Sequence, residues 1–140
     1  FQERNRGAIQ SLLIQTAALT GPHFRYEEEA VYPALVDIFG AEYIEQLLNA
    51  HDQAIGIAQK LVRLAGHDPL TDEDVSEAVR LVRKVLPHVS DCDGLSIMVE
   101  RLPEKKVRSI LKTREAARQA NLNLLQWTEQ VRPRPPAMVA

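Results

Sequence analysis

The sequence predicts an all-α protein, an up-down antiparallel four-helix bundle with an additional C-terminal helix. Three observations carry this. Apolar residues recur at i, i+3, i+4 and i+7 along most of the chain, the spacing that lines one face of a helix. The composition is 45 % hydrophobic but only 5 % aromatic, an aliphatic mixture that suits helices better than sheets. The stretches between the periodic segments are short, so consecutive helices are expected to lie side by side and antiparallel. At 140 residues the chain is long enough for one domain with a sizeable core and too short for two.

The first helix is expected from about Glu3 to Thr20, with Ile9, Leu12, Leu13, Thr16, Ala17 and Leu19 at roughly helical spacing. The chain opens on Phe1 rather than Met, so upstream sequence is expected and this helix is expected to be incomplete. Gly21-Pro22 predicts a break or kink. A second helix follows to about Phe39, with His23, Glu27, Ala30, Val31, Ala34, Leu35 and Ile38 on its stripe. Pro33 should kink it, and Gly40 is a stop signal. The third helix is the cleanest. Ile44, Leu47, Leu48, His51, Ala54, Ile55, Ala58, Leu61, Val62 and Ala65 share one face, and Glu42, Glu45, Asp52, Gln59, Lys60 and Arg63 take the wet one. Gly66-His67-Asp68-Pro69 ends it.

Thr71 and Asp74 form an approximate capping box at the start of the fourth helix. Val75, Ala78, Val79, Val82, Val85, Leu86 and Val89 line its face, Pro87 interrupts it, and it should resume to about Leu102. Pro103 opens a fifth helix with Ile110, Ala117, Ala120, Leu124, Trp127 and Val131 along its seam. This predicts a bundle over residues 1–131. The Pro-rich tail, residues 132–140, should be extended or disordered.

Charge and composition exclude several classes. The net charge is −2 with interspersed signs, so neither nucleic acid nor an acidic membrane is an expected partner. A single cysteine, Cys92, precludes an internal disulfide and fits a reducing cytoplasm. No signal peptide or bilayer-length apolar run is visible. Phosphate-binding glycine loops are absent, and Cys92 with His88 four residues away lacks a readable oxyanion loop or third group for hydrolysis.

The informative residues are polar ones on apolar stripes, because unpaired burial is costly. His23 and Glu27 are four apart and share the apolar face of their helix. His51 lies in the middle of the best apolar stripe, and His88 is three residues after Val85. Asp91 and Asp93 follow His88. Imidazole and carboxylate donors from three helices suit iron, manganese or zinc. A lone core histidine is more often bonded to a carbonyl, and the acidic run Glu27-Glu28-Glu29 is more often a solvated face. The joint pattern favours metal. His67 sits in a turn and is left out.

The stretch HFRYEEEAVYPAL, His23 to Leu35, has a histidine, a glutamate four residues on, and a following Tyr-Pro. With His51 in NAHDQAI and His88 and Asp93 in HVSDCD, it resembles the hemerythrin-like, or HHE cation-binding, family over roughly residues 10 to 102. The resemblance implies a four-helix bundle with a non-haem di-iron centre, in a family that binds oxygen or senses oxygen, iron, nitric oxide or redox state. It implies His23, Glu27, His51, His88 and Asp93 as metal ligands, with Asp91 and Glu28 as alternate carboxylates. Glu27 and Asp93 would bridge the ions, and Glu28 or Asp52 would orient the ligands from behind. Two features depart from the family pattern. No histidine precedes His23, and Ile55 stands where many members carry a second histidine on the third helix.

Residues five apart on an ideal helix diverge by roughly 140°, so His88 and Asp93 share a face only across a local widening such as a π-bulge. Asp91 fits a regular helix better. The leading functional expectation is a cytoplasmic iron protein for a small diatomic ligand such as oxygen or nitric oxide, or for peroxide; no catalytic residues are assigned. The alternative is a metal-free interaction module that has lost its ligand set. A ferritin-like oxidative enzyme ranks last, since its Glu-x-x-His pairs are absent. The fifth helix is expected to cover the bundle, replace the first helix or pair two chains in a homodimer.

Overall fold

The structure, a computed structural model, describes residues 1–139; within the fourth helix of the bundle the side chains of Val89, Ser90 and Asp93 lie outside the described set. Helix α1 (Arg6–Tyr26), a π-helical turn (Glu27–Val31) and α2 (Tyr32–Phe39) form one continuous helical segment. Gly40, at φ 88°, turns the chain into α3 (Ala41–Ala65). Helix α4 (Asp72–Val99) starts at a capping box in which the Thr71 hydroxyl and the Asp74 carboxylate each accept the other's backbone N–H. Helices α5 (Glu104–Ala120) and α6 (Leu124–Gln130) complete the fold.

The core records the antiparallel order. Ile9 clusters with Ala65, Phe24 with Ala54 and Ile55, and Leu35 with Ile44 and Leu47. Early residues of α1–α2 thus meet late residues of α3. The same reversal links α3 to α4, where Leu64 joins Ala78 and Leu81 at one end and Leu47 joins Leu95 at the other. Helices α5 and α6 pack on α1, α5 also on the π-turn and α6 also on α3. They form the remaining wall of the bundle. Trp127, 2 % exposed, packs with Phe24, Ala54, Ile55 and Leu124, so the α6 seam is used within the chain.

Several expected boundaries move. Gly21-Pro22 does not break the helix, although Pro22 removes one donor from its ladder. Packing holds the helix through it: a Cβ on Gly21 would lie 2.4 Å from the carbonyl oxygen of Leu122, so the α5–α6 turn rests directly on the α1 backbone. Pro87 does not interrupt α4 either. The widening expected near His88 occurs instead at Glu27–Val31, where Tyr32 N–H bonds back to the Glu27 carbonyl. Pro33, next in line, has no N–H to offer the carbonyl one turn back, which is where α-helical bonding gives way.

The predicted fifth helix is two. Asn121, at φ 53°, ends α5 in the left-handed conformation. Asn123 and Gln126 then build a capping box that starts α6. Leu12 and Leu19, expected on the α1 stripe, are exposed. The tail is extended and ordered along α3, with Ala137 N–H donating to the Asp52 carbonyl at 3.0 Å. Among the described residues no helix is long and apolar enough to cross a membrane.

Candidate metal centre

The π-turn shapes the site. A regular helix steps about 100° per residue, which takes one of two successive side chains off the core face. Here Glu27 and Glu28 both point inward, with side chains 4 % and 9 % exposed. Only Glu29 of the acidic run behaves as a surface residue, pairing with Arg25.

Glu27 is the hub. Its Oε1 lies 3.1 Å from His23 Nε2, 3.6 Å from His51 Nε2 and 3.7 Å from Cys92 Sγ. Cys92 Sγ is 3.2 Å from His88 Nε2. Ligand atoms of His23, Glu27 and Cys92 fall within 4.8 Å of one another, and so do those of Glu27, His51 and His88. Glu27 belongs to both groups. Four of the five residues expected to bind metal therefore converge, drawn from α1, the π-turn, α3 and α4. The fifth, Asp93, lies outside the described side chains. Its alternate Asp91, on the flank of α4 beside His88, is exposed and belongs to neither group.

Glu28 acts through a histidine rather than beside Glu27. Its Oε2 accepts from His51 Nδ1 at 2.8 Å, so the other ring nitrogen, Nε2, faces Glu27. Tyr32 hydroxyl lies 3.0 Å from that same Nε2. The Phe24 ring stacks on His51 at 4.0 Å between centroids and meets His88 edge-on, forming an apolar wall. His88 is buried, and its Nδ1 has no hydrogen-bond partner among the described residues.

The charge balance follows from these contacts. Burial alone would push the Glu27 pKa up, but hydrogen bonds and charge from His23 and His51 outweigh it and hold the carboxylate down to about 2. His51 moves the other way: burial disfavours its cation, yet contacts to Glu27 and Glu28 raise its pKa. Burial, then the neighbouring His51, lowers that of His88 and keeps its imidazole neutral, the form that binds metal. Burial and the Glu27 charge raise that of Tyr32, so its hydroxyl stays protonated.

The tail supplies a residue that sequence reasoning missed. Arg132, whose side chain is 0 % exposed, bonds to Glu28 and to Asp52 and lies over the Trp127 ring. Arg134 ties the tail to Asp52, Glu45 and Asn49 on α3. Nothing local predicts these pairs, which are 80 or more positions apart in sequence. Cys92, four positions after His88, lies on the same helix face, a signal that sequence reasoning had for it but did not use. Tyr32 enters the sequence pattern only as the first residue of the Tyr-Pro pair.

Outside the site, His23 borders a cleft of about 400 Å³ with Pro22, Tyr26, Arg114, Arg118 and Asn121. A family model described as the Hemerythrin HHE cation binding domain matches residues 2–95. No curated protein and no solved structure gives a match.

Proposed function

Because the chain belongs to the hemerythrin HHE cation-binding domain family, we propose that it holds a non-haem di-iron type centre and binds or senses a small molecule such as oxygen, peroxide or nitric oxide. The observation that supports the two-ion reading is that Glu27 belongs to both candidate groups, so one carboxylate would serve both ions. The donor chemistry fits. Three imidazoles and a carboxylate held in its anionic form suit iron, with manganese and zinc next. Among the described residues the buried His88 Nδ1 has no hydrogen-bond partner, which supports a site built to take a further group. Iron at these positions would supply a Lewis-acidic, redox-active centre with open coordination.

The residues around it have separate tasks. His23, His51 and His88 are terminal ligands, Glu28 fixes the His51 ring, and Phe24 keeps water from that side. The cleft beside His23 gives a small ligand its way in. The reading includes a cytoplasmic setting, where the Cys92 thiol stays reduced.

Protein expressed in iron-rich medium and analysed for elements after dialysis tests this. Stoichiometric iron, or stoichiometric uptake of manganese or zinc by the stripped protein, is expected. Trace metal under every loading condition overturns it. One observation favours the metal-free module instead: the wall built by α5 and α6 brings no histidine to the site. That reading requires the loading experiment to fail and the stripped protein to melt at an unchanged temperature with metal added.

A further inference from the structure

Helix α4 is regularly α-helical from Asp72 to Val99. On such a helix the residue four positions after His88 returns to the face His88 occupies. That residue is Cys92. Its sulfur lies 3.7 Å from Glu27 Oε1, a separation that ligands of a common ion adopt, and 3.2 Å from His88 Nε2, where the two candidate groups adjoin. With bonds of about 2.0–2.3 Å, neighbouring donors around one ion stand roughly 3–4 Å apart. His23 Nε2, 3.1 Å from the same Glu27 oxygen, completes the group.

We propose that Cys92 is itself a metal ligand, and that His23, Glu27 and Cys92 form one ion position while Glu27, His51 and His88 form a second of different character. This rests on the metal-binding reading above and refines it. The two positions differ in chemistry and in access. The second is buried and has only nitrogen and oxygen donors. The first includes a sulfur and opens to solvent through His23, whose side chain is 44 % exposed beside the Arg114-lined cleft. A thiolate selects zinc, iron or cobalt over magnesium, calcium and manganese. Three protein ligands would leave a coordination place open, the arrangement of a position that takes water or a small ligand. On loading, the Cys92 S–H bond is replaced by a sulfur–metal bond and one proton is released to solvent.

Cobalt(II) reports the sulfur directly. Cys92 is the only cysteine, so any thiolate-to-cobalt charge-transfer band in the near ultraviolet belongs to it. The cobalt-loaded full chain should show that band, and Cys92→Ser should lose it while keeping the weaker visible bands of cobalt at the second position. Independently, zinc should slow alkylation of Cys92 by iodoacetamide in the unaltered protein, by roughly tenfold or more, since a bound thiolate is withheld from attack. This second readout stands even where Cys92→Ser folds poorly. Stoichiometric cobalt without the band, a band that survives in Cys92→Ser, or alkylation unaffected by bound zinc overturns the proposal and leaves the metal centre standing. Failure of both metals to bind overturns the metal centre and this proposal together.

Discussion

Arg132 Nη2 donates to Glu28 Oε2 at 3.0 Å, and the same oxygen accepts from His51 Nδ1 at 2.8 Å. The end of the chain is thus one carboxylate away from an imidazole in the middle of the bundle. Arg132→Ala would leave Glu28 and Asp52 facing each other without their shared cation. Removing one partner of a buried ion pair costs about 3–5 kcal/mol, and urea denaturation of the metal-free protein should show a loss in that range. Zinc affinity should also fall, by less than the roughly 10- to 100-fold that losing Glu28, the group behind His51, would cause. Arg132→Lys should recover only part of both, because a point charge cannot reproduce the fork that reaches two carboxylates. Unchanged zinc affinity in Arg132→Ala would sever the tail from the site.

Glu27→Gln keeps the side chain's volume and removes its charge. Metal content after dialysis should collapse, since both ligand groups lose their common member. The metal-free protein should change its acid response as well. The Glu27 pKa is lowered from 4.5 to about 2, so its contribution to stability is present above 4.5 and is lost as pH falls toward 2. In Glu27→Gln that acid limb should flatten. Full iron content in Glu27→Gln would refute a bridging role.

Metal binding should release protons. His51 has a raised pKa, so its cation must give up a proton before Nε2 can bind an ion. Stability contributed by that cation in the stripped protein is present below the unfolded value and fades as pH rises through the folded one, the opposite sense to the contribution of a metal-bound His51. Calorimetric titration with zinc in two buffers of different ionisation enthalpy should give different apparent heats, and affinity should weaken as pH drops. Equal heats in both buffers would contradict the assignment of His51 as a ligand.

Three glycines should respond to alanine with different signs. At Gly94 a Cβ meets nothing within 4 Å among the described residues, so Gly94→Ala should stabilise by about 1 kcal/mol through helix propensity. At Gly21 the same methyl would stand 2.4 Å from the Leu122 carbonyl oxygen, and Gly21→Ala should destabilise by about 1–3 kcal/mol as α5 and α6 are pushed off α1. At Gly56 it would stand 2.2 Å from the Ala137 carbonyl oxygen, so Gly56→Ala should release the tail. Thermal melts separate the first two, and limited proteolysis of the C-terminus detects the third. A stabilised Gly21→Ala would show that the close approach is absent.

The sequence by itself determined the all-helical bundle and its antiparallel order, and it singled out four residues that the fold brings together. Those properties are local: a 3.6-residue period, a capping box at Thr71, and polar residues such as His51 standing where only apolar ones are cheap. Tertiary structure decided the rest. Whether Pro22 breaks a helix depends on the Leu122 backbone packed against Gly21, not on the dipeptide. Whether Glu28 faces solvent depends on the π-turn beside Pro33 and on a cation that arrives 104 residues later. Cys92 was legible as a position on the His88 face, but its value as a donor became visible only once Glu27 and His23 from another helix stood beside it. Helical periodicity records which face of a helix is turned inward. Which groups meet there is a property of how the helices are set against one another, and side chains from different helices share no sequence spacing that would announce it.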